Sequence, residues 1–151
     1  MLFRSPVSGA AATQALLLTT SAYTQTREQF GLPIANLEGI QEKLATLATN
    51  AYRATANINL STWALDAGYR PSIISAIVKY RNTLLMQQSA IDAMDVHGGR
   101  AVMQGPRNYV ANVYASAPVA ITVEGANILT RSLMVFGQGL IRCHADRKSV
   151  V

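Results

Sequence analysis

The side chains able to do chemistry are few and dispersed. One carboxylate, Glu124, stands in the otherwise apolar run PVAITVEGANILT, residues 118–130, with Gly125 directly after it. Val119, Ile121, Val123, Ile128 and Leu129 surround it in sequence. Apolar surroundings disfavour a charge and raise a carboxyl group from its ordinary pKa of about 4.3 toward the range of a general base. The same position also fits a surface anion in the first turns of a helix, where the macrodipole favours it. Gly125 costs about 1 kcal/mol in a helix interior. It also removes bulk beside the carboxylate, as a ligand nearing the backbone would require.

Two more blocks invite a reading. VHGGR, residues 96–100, holds Gly98 and Gly99, which suit either a turn that approaches a phosphate or a plain helix C-cap. REQFGLPI, residues 27–34, offers the Arg27 guanidinium to a phosphate, or is a turn between two helices. His97 and His144 have no partner at metal-ligand spacing and read as loop or helix-end residues, so no metal site is expected. Cys143 is the single cysteine, which excludes an internal disulfide and a cysteine-based zinc site. No Ser-His-Asp or Cys-His set is legible. Trp63 and the tyrosines suit core or interface positions.

The elements that must position these residues are helical. Ala11, Ala15, Leu18 and Ala22 share a face of a first helix over about Gly9–Gln29. In the second, Leu37, Ile40, Leu44, Leu47, Ala51, Ala54, Ile58 and Leu65 keep a three-four step broken only at Ser61, the seam of an antiparallel bundle. Gly68 and Pro71 separate it from a third, where Ile73, Ile77, Tyr80, Leu84, Ile91 and Met94 share a face up to Gly98. Gly105-Pro106 breaks the next stretch, leaving room for a short helix over 107–114. Pro118 suits the first turn of a fourth long helix striped by Leu129, Leu133, Phe136 and Leu140. No segment alternates long enough to argue a strand. The expected fold is all-α, an up-and-down four-helix bundle.

Composition bounds the partners. The chain has 151 residues, 50% hydrophobic and 14% charged, against about a quarter charged in an ordinary soluble domain. Such a chain is expected to bury surface against something else. The net charge of +5 is scattered apart from Arg142, Arg147 and Lys148, and no basic stripe interleaves with aromatics, so nucleic acid is not an expected partner. Pro6, Thr13 and Gln14 interrupt the leader-like start, and no uninterrupted apolar run is long enough to span a bilayer. A cytoplasmic location is expected. Peripheral association with the inner membrane stays open but is not indicated.

Taken in order and at their spacings, REQFGLPI, DVHGGR and VEGANILTR resemble successive motifs of the C-terminal helical domain of flavin-dependent acyl-CoA dehydrogenases. GIQEKLA, SAIVKY, AIDAMDVHGG and APVAITVEGANILTRSLMVFGQGLIRCH look most like the long bacterial branch that serves fatty-acid β-oxidation. The resemblance runs from about Arg4 to His144. It implies that Glu124 is the base, and that Arg27, Gln29, Phe30, Gly98 and Gly99 meet the pyrophosphate and adenosine end of an FAD held by a neighbouring subunit. Departures from the common pattern are Glu38 and Asp95 where many members have Gln, Ala126 where many have Thr, and YASAP in place of an Arg-Asp pair.

The activity this implies is dehydrogenation of a saturated acyl-CoA to the trans-2-enoyl-CoA: a carboxylate takes the α-proton as the β-hydrogen leaves as hydride to the flavin. An electron-transferring flavoprotein would be the acceptor. The resemblance also implies self-association, a bundle over 4–144, and helical and β domains preceding it that hold the flavin ring and are absent here. The ending ADRKSVV, residues 145–151, reads as an aberrant or disordered tail, and the chain alone is expected to be inactive. Two other readings remain: a non-catalytic helical association module, which would not need Arg27, Gly98-Gly99 and Glu124 together, and an acyl-CoA oxidase domain, which passes electrons to oxygen.

Overall fold

The computed structural model describes residues 4–143, with side-chain burial through residue 140. The expectations for His144 and for the tail lie outside those residues. The described chain runs α1 (Arg4–Thr26), β1 (Glu28–Gln29), β2 (Leu32–Pro33), a 3₁₀ turn (Ile34–Asn36), α2 (Glu38–Asp66), α3 (Ser72–His97), α4 (Gly99–Val102), α5 (Tyr109–Thr122) and α6 (Asn127–Cys143). The all-α bundle reading holds, with its fourth member in two pieces.

Side-chain bonds give the directions. Lys43, Asn50 and Asn57 of α2 reach Asp92, Ser89 and Asn82 of α3, so rising numbers on one meet falling numbers on the other. Tyr109 at the start of α5 meets His97 at the end of α3, and Ile121 near the end of α5 meets Lys79 near the start of α3. Helices α2 and α3, and α3 and α5, are therefore antiparallel. The link between α1 and α2 is a two-residue hairpin pairing Glu28 with Pro33 and Gln29 with Leu32. Its corner needs two positive φ angles, and Phe30 (57°) and Gly31 (79°) supply them.

The α2 seam is as read, and it continues through the expected gap. Ser61 is buried because its hydroxyl donates to the Asn57 carbonyl. In α1 the period is right and the phase is wrong. Ala11, Ala15, Leu18 and Ala22 are exposed, and Ser5, Pro6, Gly9, Ala10, Thr13, Leu16, Thr20 and Thr24 face inward. Threonine burial is inexpensive here because Thr13 and Thr24 return their hydroxyls to the Ala10 and Ser21 carbonyls. The Thr20 hydroxyl is the exception, buried without a partner among the described residues.

The α3 stripe is also corrected. Ile73, Ile77 and Ile91 are exposed, and the buried face carries Val78, Lys79, Asn82, Thr83, Met86, Ser89, Ala90, Asp92, Ala93, Val96 and His97. The reason is crowding. Helix α3 packs against α1, α2, α5 and α6, so small and hydrogen-bonded side chains occupy the middle. Asn82 donates to the carbonyls of Pro6 and Ala54 and accepts from Asn57, tying three helices at one point. The innermost apolar cluster is correspondingly small: Leu16, Ala90, Ala93, Ala101 and Val110.

The last third departs most from expectation. Pro118 lies inside α5 rather than opening a long helix. A break at Val123–Ala126 divides α5 from α6, and Leu129, Leu133, Phe136 and Leu140 are exposed rather than buried. The stretch Tyr109–Leu140 has the length and apolarity of a membrane span, but this break and Glu124 interrupt it. Trp63 is likewise on the surface.

The α1–α3 crossing is close because Gly9 has no side chain: a Cβ there would stand 3.0 Å from the Asn82 carbonyl oxygen. Gly9→Val is expected to destabilise the fold by about 1–3 kcal/mol through overpacking. Thermal unfolding followed by circular dichroism checks this, and an unchanged Tm would contradict the crossing.

Candidate functional site

The sequence-selected residues fall into two groups at opposite ends of the bundle. At one end, α5 stops at Thr122, and the chain turns through Glu124 (φ 55°) and Gly125 (φ 90°) before α6 begins at Asn127. The left-handed region is unfavourable for a residue with a Cβ, by about 1–2 kcal/mol, so the surroundings must hold Glu124 there. Gly125 answers a conformational demand. Its φ suits glycine, and a Cβ would stand 3.3 Å from Thr130 Oγ1. Glu124 is thus presented from a turn between two helices, not from a helix's first turns.

Three polar side chains secure this turn. The Lys79 ammonium, from the buried face of α3, donates to the Ile121 carbonyl (3.2 Å), the Gly125 carbonyl (2.8 Å) and Asn127 Oδ1 (2.7 Å). Asn127 Nδ2 donates to Thr83 Oγ1 (2.9 Å), and the Thr130 hydroxyl donates to the Gly125 carbonyl (3.2 Å). Burial pushes the Lys79 pKa below the usual lysine range, while the Glu124 charge pulls it back up.

The Glu124 side chain is exposed, and its Oε2 accepts from the Ser5 hydroxyl (2.8 Å) and the Ser5 backbone N–H (3.1 Å) in the first turn of α1. Those two bonds hold its pKa below the usual glutamate value against the opposing effect of desolvation, and the Arg4 and Lys79 charges add lesser contributions in the same downward direction. The expected upward shift is therefore not present here. Val119, Val123, Ile128 and Leu129 are near it in sequence but leave it open to water. Beside Glu124 lies an apolar cleft of about 430 Å³ lined by Ile73, Ala76, Leu129, Leu133 and Met134. No acceptor among the described residues takes the Glu124 backbone N–H.

At the other end, Arg27 and Gly99 line a cavity of about 930 Å³ together with Tyr23, His97, Arg100 and Arg107. Gly98 caps α3 with φ 59°, its N–H donating to the Met94 carbonyl, so the helix-cap reading is correct for it. Gln29 and Phe30 sit on the exposed hairpin and do not line the cavity. Burial lowers the His97 pKa. Its Nδ1 donates to the Ala93 carbonyl at 2.8 Å, which leaves Nε2 to accept from the Tyr109 hydroxyl at 3.0 Å. His97 stacks on Tyr23 with ring centroids 4.2 Å apart, and the Arg100 guanidinium lies 5.3 Å from the Tyr23 ring centroid.

Asp95, a departure from the common pattern, is paired on the surface with Lys43, which also bonds the buried Asp92 at 2.7 Å. Ser5, Lys79, Arg100 and Arg107 were not singled out in the sequence. Ser5 and Lys79 carry no local signal, since their partners lie 119 and 42–48 residues away. Arg100 and Arg107 follow the Gly pair closely and could have been found as a basic cluster around it.

The family model for the acyl-CoA dehydrogenase C-terminal domain matches residues 6–135. Cyclohex-1-ene-1-carbonyl-CoA dehydrogenase of Syntrophus aciditrophicus is 33% identical over 129 residues, which cover 85% of this chain and 30% of that protein. The mitochondrial long-chain specific acyl-CoA dehydrogenase of Sus scrofa is 27% identical over 116 residues, 76% of this chain and 26% of that one. The structure of butyryl-CoA dehydrogenase from Megasphaera elsdenii superposes with a TM-score of 0.81 at 23% identity, over 91% of this chain and 35% of that chain. The chain thus spans about a third of the length of the relatives it matches.

The geometry sets the direction of a pH effect. A carboxyl whose pKa is depressed by folding stabilises the fold above its unfolded pKa and loses that contribution as pH falls through the folded pKa. Ser5→Ala should therefore move the Glu124 titration up toward the ordinary glutamate range, as read by carboxyl NMR. It should also cost stability at neutral pH, by an amount that fades in acid. A Glu124 midpoint unmoved by Ser5→Ala would contradict the contact.

Proposed function

We propose a function on the premise that this chain belongs to the acyl-CoA dehydrogenase family. It is read as the helical domain that supplies the proton-accepting carboxylate, Glu124, and an anion-binding cavity for FAD, in dehydrogenation of an acyl-CoA to its trans-2-enoyl-CoA. The observation that carries this reading is the Glu124 turn: a carboxylate presented between two helices, beside an apolar cleft, with no acceptor for its own backbone N–H among the described residues.

Each feature has a task in that chemistry. The cleft offers aliphatic walls to an acyl chain. The Glu124 N–H would donate to the thioester carbonyl, where negative charge develops as the α-proton leaves. The Glu124 carboxylate takes that proton. Held on Ser5 and open to water it is a weak base. Displacing water from the cleft and releasing the Ser5 bonds would raise its pKa in the direction catalysis requires.

The cavity at the opposite end fits the phosphates of FAD: Arg27, Arg100 and Arg107 bring positive charge, and the positive-φ turn at Gly98 brings backbone close by. FAD, when bound, supplies the hydride acceptor. Ser5 and Thr26, the two ends of α1, lie about 30 Å apart at helical rise. That separation supports a site completed between copies, with one chain's arginines serving another chain's Glu124. The exposed Leu129, Leu133, Phe136 and Leu140 row is consistent with such association. Fatty-acid β-oxidation and electron-transferring flavoprotein as acceptor are parts of this proposal that rest on the motif resemblance alone, and a cytoplasmic location is carried over from the sequence reading.

Titration of the chain with ADP, the diphosphate-bearing part of the cofactor, followed by tyrosine fluorescence, tests the division of labour. Arg27→Ala is expected to weaken binding about tenfold or more, the worth of a charge-assisted hydrogen bond. Glu124→Gln is expected to leave it unchanged. Equal effects, or no binding by the wild-type chain, would contradict the assignment of the cavity.

A further inference from the structure

Lys79 is the feature of this fold that the proposed chemistry leaves unexplained. It is 0% exposed. A buried ammonium is costly unless its protons find acceptors. All three do: one goes to the last turn of α5, one to the residue after Glu124, and one to the first residue of α6. No carboxylate bonds it among the described residues. Two of its partners are main-chain carbonyls, and Ile121 belongs to the helix end where carbonyls lack intrahelical partners and the dipole is negative.

These acceptors bracket Glu124. Ile121 lies three residues before it, and Gly125 and Asn127 lie one and three residues after. A single side chain thus fastens both sides of the turn that holds Glu124 at φ 55°. A methionine or leucine would fill this space equally well if packing were the only need. It would leave the Gly125 carbonyl with the Thr130 hydroxyl alone, at 3.2 Å, and strip the Ile121 carbonyl of its lysine partner.

We infer that Lys79 is the positioning residue of the Glu124 site, setting the backbone turn that aims the carboxylate at Ser5 and the apolar cleft. The inference rests on the reading of Glu124 as the proton acceptor. Lys79 acts through the backbone, since its ammonium bonds Ile121, Gly125 and Asn127 and not the Glu124 carboxylate. The charged groups that bear on Glu124 are Lys79 from α3 and Arg4 from α1, and Ser5 supplies its hydrogen bonds. Because the ammonium is sealed, the turn is preset before anything binds.

The test uses the full chain and needs no turnover. Carboxyl NMR follows the Glu124 titration, with Glu124→Gln to identify its signal, and hydrogen exchange follows the Ser5 amide that donates to it. Lys79→Met is expected to keep the far-ultraviolet helical signal. In that variant the Glu124 titration should move upward, and the Ser5 amide should exchange roughly tenfold faster, the protection one net hydrogen bond confers. Wild-type values for both in a folded Lys79→Met protein would reduce Lys79 to a space-filling role and overturn the inference. If Lys79→Met does not fold, Lys79→Gln decides. It keeps two donors without the charge, and the same two readings are expected to move in the same directions by a smaller amount. Wild-type values there would likewise overturn it. Neither reading depends on proton abstraction from a substrate, so the positioning role can fail with Glu124 still the base. Equally, Glu124 can fail as base with the positioning role intact.

Discussion

The Lys79 ammonium, buried against the Ile121 and Gly125 carbonyls and the Asn127 side chain, is the contact on which the Glu124 end of this protein depends. It joins α3 to the end of α5 and the start of α6, and it fastens both sides of the turn in which Glu124 takes a φ unfavourable to a residue with a Cβ. The turn exposes the Glu124 carboxylate, and the backbone N–H of the same residue has no acceptor among the described residues. Those are the two groups a proton abstraction next to a thioester calls for, an acceptor for the proton and a donor for the growing negative charge. Ser5 completes the arrangement from α1, so four helices, α1, α3, α5 and α6, meet around a single glutamate.

The middle of the bundle follows a related logic. Helix α3 is surrounded, and its inward face is polar and small rather than aliphatic. Asn82 joins α1, α2 and α3, and Lys43 and Asp92 join α2 to α3. Such contacts demand definite geometry, so they fix how the helices align more strictly than aliphatic packing would. Many of the large apolar side chains lie outside, among them Ile128, Leu129, Leu133, Phe136 and Leu140 of α6. A chain built this way has its specificity inside and its adhesive surface outside, which suits a domain that works in contact with other protein.

How much of this was legible in the sequence depends on what each signal measures. The first three long helices, the α2 seam, the Gly98 stop and the turn after Thr26 were readable because they rest on local spacing and on glycine and proline chemistry. The inward faces of α1 and α3 were not. A hydrophobic stripe marks the core only when a helix buries its aliphatic side, and here Thr13, Thr20, Thr24, Asn82 and Lys79 are inside while Leu18, Ile73 and Ile77 are outside. The break before α6 was hidden for another reason. Glu124-Gly125 reads as a tolerable pair inside a helix, and the lysine that bonds the turn is 42 to 48 residues away from its acceptors. Of the residues read as cofactor contacts, Arg27 and Gly99 meet in one cavity, whereas Gln29 and Phe30 stay on the exposed hairpin.

The central claim is that the carboxylate on this turn accepts the α-proton. It is tested most directly by the rate of trans-2-enoyl-CoA formation from a saturated acyl-CoA. The chain would be joined to the flavin-holding domains of a relative and assayed with an electron acceptor, comparing wild type with Glu124→Gln. The account expects the rate to fall by about 10²–10⁴, the usual contribution of a positioned general base, with helical content unchanged. A Glu124→Gln protein that forms enoyl-CoA at the wild-type rate would contradict it.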